Sequence, residues 1–317
     1  MKLQTQIPLK QHNPLIDYQS KVLLIGSCFV DNIGQKLDYF KFQSQSNPFG
    51  VLFHPKALER VITRIIRGTG FTDKDLFWHK ERWQSLEVHS SYSDTDKDRL
   101  RAKLNQKIAL QHNNVKEVSH IVITLGTAWG YMHLKSQAIV GNCHKLPQNH
   151  FQKHLSTVAE IQNNLQHIIK GIRDVNPDAT IIFTISPIRH LKDGFVENQR
   201  SKAHLIAAVH QCVATFKDAK ITYFPSYEIV MDELRDYRFY GEDMIHLTPM
   251  AIGYIWERFS FSWLDPKTKE IMEKVDTIQR GLSHRPFDPN GASYLAFKEE
   301  LQQKIAYISE KYPHMQF

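Results

Sequence analysis

Short apolar runs that end in glycine, serine or proline alternate along this chain with stretches whose apolar residues return every three or four positions. Val22-Leu23-Leu24-Ile25 stops at Gly26, Ile121 to Leu125 at Gly126, Ile181 to Ile185 at Ser186-Pro187, and Ile221 to Phe224 at Pro225. Runs bounded this way suit strands covered on both faces, as in a parallel sheet. Between them, Val30, Ile33, Leu37 and Phe40 mark one amphipathic helix, and Leu58, Val61, Ile62 and Ile65 mark a second that opens at Pro55. A third stripe runs from Leu155 through Val158, Ile161, Leu165 and Ile168 to Ile172, and a fourth through Leu205, Val209, Val213 and Phe216. A further strand is expected near Phe40 to Ser44. Alternation of this kind predicts an α/β fold, an open doubly wound sheet with helices on both faces and its ligand site at the C-terminal strand edge.

The remainder of the text is less regular. From Phe71 to Asp98 it is polar and aromatic without a clear period and reads as an insertion over the sheet edge. Beyond Pro266, two helical patterns, Ile271 to Ile278 and Tyr294 to Ile308, flank a loop. No boundary demands a second unit, so residues 1–317 are read as a single domain with an insertion near 71–98 and a helical extension from about 266.

Composition narrows the function classes. Forty Lys and Arg against 33 Asp and Glu give a net charge of +7, but the cations are scattered rather than gathered in a run, which points away from nucleic acid. The first ten residues lack the apolar core of a secretory signal, and no stretch approaches the roughly eighteen apolar residues of a membrane span. A cytoplasmic protein without a membrane partner is expected. Cys28, Cys143 and Cys212 form no Cys-x-x-Cys pair, so reduced thiols are expected and neither a metal nor a cofactor is called for. Oligomeric state is not legible.

Candidate chemistry centres on Ser27, which falls between the first strand and its helix. A serine hydroxyl attacks a carbonyl only when a base takes its proton. Asp243-Met244-Ile245-His246 precedes Thr248 and Pro249, an N-cap followed by a first helical residue, so His246 lies in a loop before a helix. An aspartate three residues ahead of a histidine is able to hold the Nδ1 proton and aim Nε2 at a serine. The plainer alternatives are a helix N-cap for Ser27 and a surface ion pair for Asp243 and His246.

Gly26-Ser27-Cys28-Phe29, followed in order by Asn47-Pro48-Phe49-Gly50, Gly141-Asn142-Cys143-His144-Lys145, Phe224-Pro225-Ser226-Tyr227-Glu228 and Asp243-x-x-His246, resembles the GSCFA-domain family over roughly residues 20 to 260. That family is grouped with the SGNH, or GDSL-like, hydrolases. The resemblance implies a three-layer α/β/α fold with a mainly parallel flavodoxin-like sheet, and an esterase acting on a small-molecule or carbohydrate ester. It implies Ser27 as nucleophile, His246 as base, Asp243 as its orienting carboxylate, and the amides of Ser27 and Gly50 as oxyanion donors. Where SGNH enzymes carry Gly-x-Asn-Asp, this chain reads Gly126-Thr127-Ala128-Trp129, so the Thr127 hydroxyl and Asn142 are the candidates for the missing donor.

Trp83, His89, Trp129, His144, Arg189 and His190 are the candidate substrate-binding residues, by their positions in or after edge loops. Cys28, intrinsically the stronger nucleophile, is expected to point away into packing. An O-acyltransferase with the same triad, and a ligand-binding protein without catalysis, are the two alternatives to a hydrolase.

Overall fold

The computed structural model describes residues 4–317. The first apolar run becomes β1 (Lys21–Gly26), followed by α1 (Cys28–Tyr39), the polar strand β2 (Gln43–Ser46) and α2 (Pro55–Arg67). A hairpin of β3 (Phe77–His79) and β4 (Arg82–Gln84) leads to α3 (Lys97–Asn114) and β5 (His120–Leu125). Strands β6 (Trp129–His133), β7 (Ala138–Ile139) and β8 (Phe151–Leu155) form a small antiparallel sheet ahead of α4 (Val158–Val175) and β9 (Thr180–Ile185). The long α5 (Phe195–Phe216) returns to β10 (Ile221–Tyr223), and a short turn, α6 (Ser226–Glu228), opens the path to α7 (Pro249–Trp263), α8 (Thr268–Ser283) and α9 (Ala292–Lys311).

The main sheet runs β10-β9-β5-β1-β2 with every pairing parallel. Numbered among themselves, its strands lie in the order 2-1-3-4-5, the flavodoxin-like arrangement, whose switch point falls between the first and third strands. Side chains alternate across it. Leu23, Ile25, Ile121, Ile123, Ile181 and Phe183 pack with the apolar stripes of α2, α3, α4 and α5. Val22, Leu24, Val122 and Ile182 pack on the opposite face with α1, α7 and α8, to which α9 adds Leu301 and Ile308. A sheet covered on both faces explains why its central strands are apolar throughout instead of alternating. The fold is the three-layer α/β/α arrangement expected from the alternating pattern. Among the described residues no helix is long and apolar enough to cross a membrane.

Three elements depart from the sequence pattern, each for a physical reason. The second strand is displaced to Gln43–Ser46, where polar residues serve as the sheet edge and the Gln45 side chain accepts from Gln111 at 2.8 Å. Helix α3 buries only Leu100, Leu104, Ile108 and Gln111, too narrow a stripe to stand out in an otherwise charged segment. Leu155 closes β8 rather than opening a helix, because Thr157 caps α4 by a reciprocal pair of hydrogen bonds with Glu160.

Candidate active site

The C-terminal end of β1 is built by close backbone approach. Gly26 sits at φ +145°, and a Cβ there would stand 2.2 Å from the Thr124 carbonyl oxygen of β5, so only glycine fits. The Gly26 amide donates to Asn47 Oδ1 at 2.8 Å, the Leu52 amide donates to the Gly26 carbonyl at 3.0 Å, and Asn47 Nδ2 donates to Asp31 Oδ1 at 2.7 Å. These bonds fix the turn in which Ser27, extended at φ −70° and ψ 167°, becomes the N-cap of α1. Ser27 therefore stands at the switch point of the sheet, and its Oγ accepts from the Phe29 amide at 3.4 Å. The residue is 1% exposed.

Two side chains that the pattern left unassigned to Ser27 gather around it. His190 Nε2 and Ser27 Cβ lie 3.1 and 3.3 Å from the point where a Cβ on Gly126 would stand. Burial, reinforced by the Lys202 charge, pushes the His190 imidazole down to about 4, so it is neutral at pH 7. Lys202, fully buried on α5, donates from Nζ to the carbonyls of Gly126 and Ser186, both at 2.6 Å, and so clamps the ends of β5 and β9 together. Burial pushes its ammonium down to about 7. Its signal in the sequence was a lysine in step with Leu205 and Val209 on an apolar stripe. Cys28 is half-buried and its thiol is raised by burial, which keeps it protonated and a poor nucleophile.

The second half of the site lies on the loop before α7. Asp243 Oδ2 stands 2.5 Å from His246 Nδ1, while Asp243 Oδ1 accepts from the amides of Ile245 and His246, each at 2.9 Å. The histidine bond, with those two amides, holds the Asp243 carboxyl down to about 2. A bridge between Tyr240 and Leu247, and the Thr248 amide donating to the Phe239 carbonyl at 2.9 Å, close this loop on itself. The Arg189 guanidinium lies 5.0 Å over the Tyr240 ring, which ties the loop to the segment leaving β9 and so to the edge that carries Ser27. His246 remains 63% exposed, and no hydrogen bond joins it to Ser27 among the described residues.

The oxyanion donors expected from the family pattern need correction. The Ser27 amide donates to the Thr124 carbonyl at 3.0 Å and the Gly50 amide to the Asn47 carbonyl at 2.8 Å, so both are consumed by the turns that shape the site. The Thr127 hydroxyl is engaged with Ser201 at 2.9 Å and accepts from the Trp129 amide at 3.0 Å. Asn142 spends Oδ1 on the His144 amide at 2.8 Å and keeps Nδ2 without a partner among the described residues. The Cys28 amide, first in α1 and beside Ser27, also has no partner there, a donor that the motif comparison overlooked although any helix N-terminus offers one.

Of the candidate substrate residues, Trp129 lines a cleft of about 340 Å³ together with Phe53, Tyr131, Asn142, Cys143 and Lys192. Phe53, which lines this cleft, also packs with its Cβ at Gly126 beside Ser27. His89 packs against Gly50, and Arg189 faces Tyr240. Two others are corrected. His144 is buried, with Nε2 bonded to the Ser85 carbonyl at 2.6 Å and its ring edge-on to Phe77. Trp83 packs with Trp78 in the β3-β4 hairpin, 5.0 Å beneath the Lys97 ammonium.

Residues 21–259 match the GSCFA family, and residues 275–317 match the GSCFA domain protein, C-terminal domain. The chain belongs to the GSCFA family. Among solved structures it is similar to an acetyl xylan esterase from the rumen bacterium Butyrivibrio proteoclasticus, with a TM-score of 0.40 and 10% identity over 84% of this chain. The chain spans 65% of that protein's length. No curated protein is matched.

Proposed function

We propose that this protein is a serine hydrolase of SGNH type that cleaves an ester or O-acyl group through an acyl-enzyme on Ser27. The observation that carries this reading is the placement of Ser27 at the N-terminus of α1, at the switch point of a parallel sheet, with an Asp243–His246 pair 2.5 Å apart on the same edge. Ser27 Oγ attacks the acyl carbonyl while His246 Nε2 takes the hydroxyl proton. Asp243 holds Nδ1–H and stabilises the imidazolium as it forms. The oxyanion is met by the Cys28 amide, where the first turn of α1 adds the positive end of its dipole. His246 then returns the proton to the departing alcohol, and water attacks the acyl group by the same route. The reading requires Nε2 of His246 to stand within hydrogen-bonding reach, about 3 Å, of Ser27 Oγ in the substrate complex.

The burial of Ser27 favours one competing reading, a ligand-binding protein that keeps this scaffold without catalysis. A fluorophosphonate probe separates the two. Under the hydrolase reading, mass spectrometry locates an adduct on Ser27 that is lost in Ser27→Ala, is strongly slowed in His246→Ala, and survives Cys28→Ala. An adduct that persists in Ser27→Ala, or the lack of any adduct on the unaltered protein, refutes the assignment. Product analysis with alcohol acceptors distinguishes hydrolysis from acyl transfer by the same triad.

A further inference from the structure

A trough of about 1100 Å³ runs along α2, walled on one side by that helix and on the other by the turn between β6 and β7. Arg60 and Arg67 enter it from α2, Lys74 from the segment before β3, and Lys135 from the β6-β7 turn. Three carboxylates share the trough, and all three are already engaged. Glu59 pairs with Lys56 at 2.8 Å, while Asp75 and Glu87 grip Arg64 from two sides at 2.7 and 2.6 Å. Arg60, Arg67, Lys74 and Lys135 form no ion pair among the described residues, and with Lys56 and Arg64 the trough holds six cations against three carboxylates, a net charge of +3 on a concave surface. Like charges held together this way repel one another, and a concave wall focuses their field outward.

The trough does not stand alone. It shares Val140 and Leu146 with the aromatic cleft, one of whose lining residues, Phe53, packs at Gly126 beside Ser27. That cleft adds Lys145 and Lys192 and contains no carboxylate. The two cavities together are lined by eight Lys and Arg against three Asp and Glu, an excess of five where the whole chain carries +7. Positive charge that looked scattered in the sequence is gathered by folding along two adjoining cavities, the nearer of which is lined by Phe53, a residue packed at Gly126 beside Ser27.

The geometry points to an acidic oligosaccharide as the occupant of these cavities, with the acylated sugar in the cleft and its charged neighbours along α2. A volume of about 1100 Å³ exceeds the usual range for a drug-sized ligand, which favours an oligomer. Trp129, Tyr131 and Phe151 line the cleft, Trp129 with the Lys153 ammonium 4.3 Å over its ring and Tyr131 with that of Lys192 at 5.5 Å, so aromatic ring and cation stand together there as an acidic sugar requires. The trough is lined mainly by charged and polar side chains, and Phe77 is the one Phe, Tyr or Trp lining it, short of the successive aromatic platforms on which single-stranded nucleic acid stacks. The role of this ligand as substrate rests on the Ser27 reading; its binding does not.

Titration calorimetry on full-length Ser27→Ala protein tests the site without turnover, using oligogalacturonate, a neutral cello-oligosaccharide of equal length and a single-stranded DNA oligonucleotide. The acidic saccharide is expected to bind best, to weaken as salt is raised, and to lose about tenfold or more in a combined Arg60→Glu, Arg67→Glu, Lys135→Glu variant, the scale of close charge pairs. Reversal of the distant Lys298 is expected to change nothing. Equal binding of neutral and acidic saccharides, tighter binding of DNA, or indifference to the triple reversal overturns the proposal. On catalytically intact protein, the triple reversal is expected to raise KM for O-acetylated oligogalacturonate while leaving turnover of a small uncharged acetate ester unchanged. Failure of Ser27 to react with fluorophosphonate, alongside retained saccharide binding, refutes the hydrolase reading and leaves the binding site standing.

Discussion

Lys202 is the residue at which the burial of charge and the shape of the site meet. Its ammonium satisfies two carbonyls at strand ends while sitting in a medium that disfavours its charge. Replacement by methionine fills similar space and leaves both carbonyls unpaired, at a cost of about 1–3 kcal/mol each, offset in part by relief from a buried charge. The titration has a definite sign. Between about 7, its value in the folded protein, and 10.5 in the unfolded chain, the unfolded state binds more protons, so stability rises with pH across that window. Chemical denaturation at pH 7 and pH 9 is expected to show a rise in the unaltered protein that Lys202→Met loses. An identical rise in the variant assigns the slope to other groups.

At the level of elements, the turn from β1 into α1 depends on how closely β1 and β5 approach. Gly26→Ala places a Cβ against backbone rather than a yielding side chain and also strains φ, so the ladder from Val22–His120 to Gly26–Thr124 must open at its end. A loss of about 1–3 kcal/mol or more in urea denaturation is expected, together with a greater loss of fluorophosphonate labelling than of global stability. This turn was legible in the sequence because an apolar run, a glycine and a serine followed by helical spacing each carry a local physical meaning. The Asp243–His246 pair was legible for the same reason, since three residues of connectivity keep the two side chains together. Helix α3, the β6-β7-β8 sheet and the trough were not, because a thin apolar stripe, short half-exposed strands and converging surface cations acquire their pattern only in three dimensions. The fate of the Ser27 and Gly50 amides was likewise invisible: a motif names a residue but not the direction in which its N–H points.

For the molecule as a whole, the buried, neutral His54 contributes to the response to acid. His54 caps α2 by accepting the Lys56 amide at Nδ1, and its Nε2 faces the Ala128 carbonyl at 3.2 Å, an arrangement that the neutral ring satisfies. Burial pushes it down to about 4. As pH falls from 6.5 toward 4 the unfolded chain takes up a proton that the folded protein refuses, which costs about 3 kcal/mol over that interval. Denaturation midpoints at pH 7 and pH 5 are expected to fall less for His54→Asn, which keeps an N-cap oxygen, than for the unaltered protein. An equal fall in both places the acid sensitivity elsewhere.

Ser27 is 1% exposed, beside the Phe53 and His190 rings packed at Gly126. A reagent therefore meets the hydroxyl only in molecules where this packing has loosened, and the observed rate is the intrinsic rate scaled by the fraction that is open. Bulky acyl groups suffer more from that factor than small ones, whatever their chemical reactivity. Once reagent is in excess, the limiting rate reports how often the molecule opens rather than how nucleophilic its serine is.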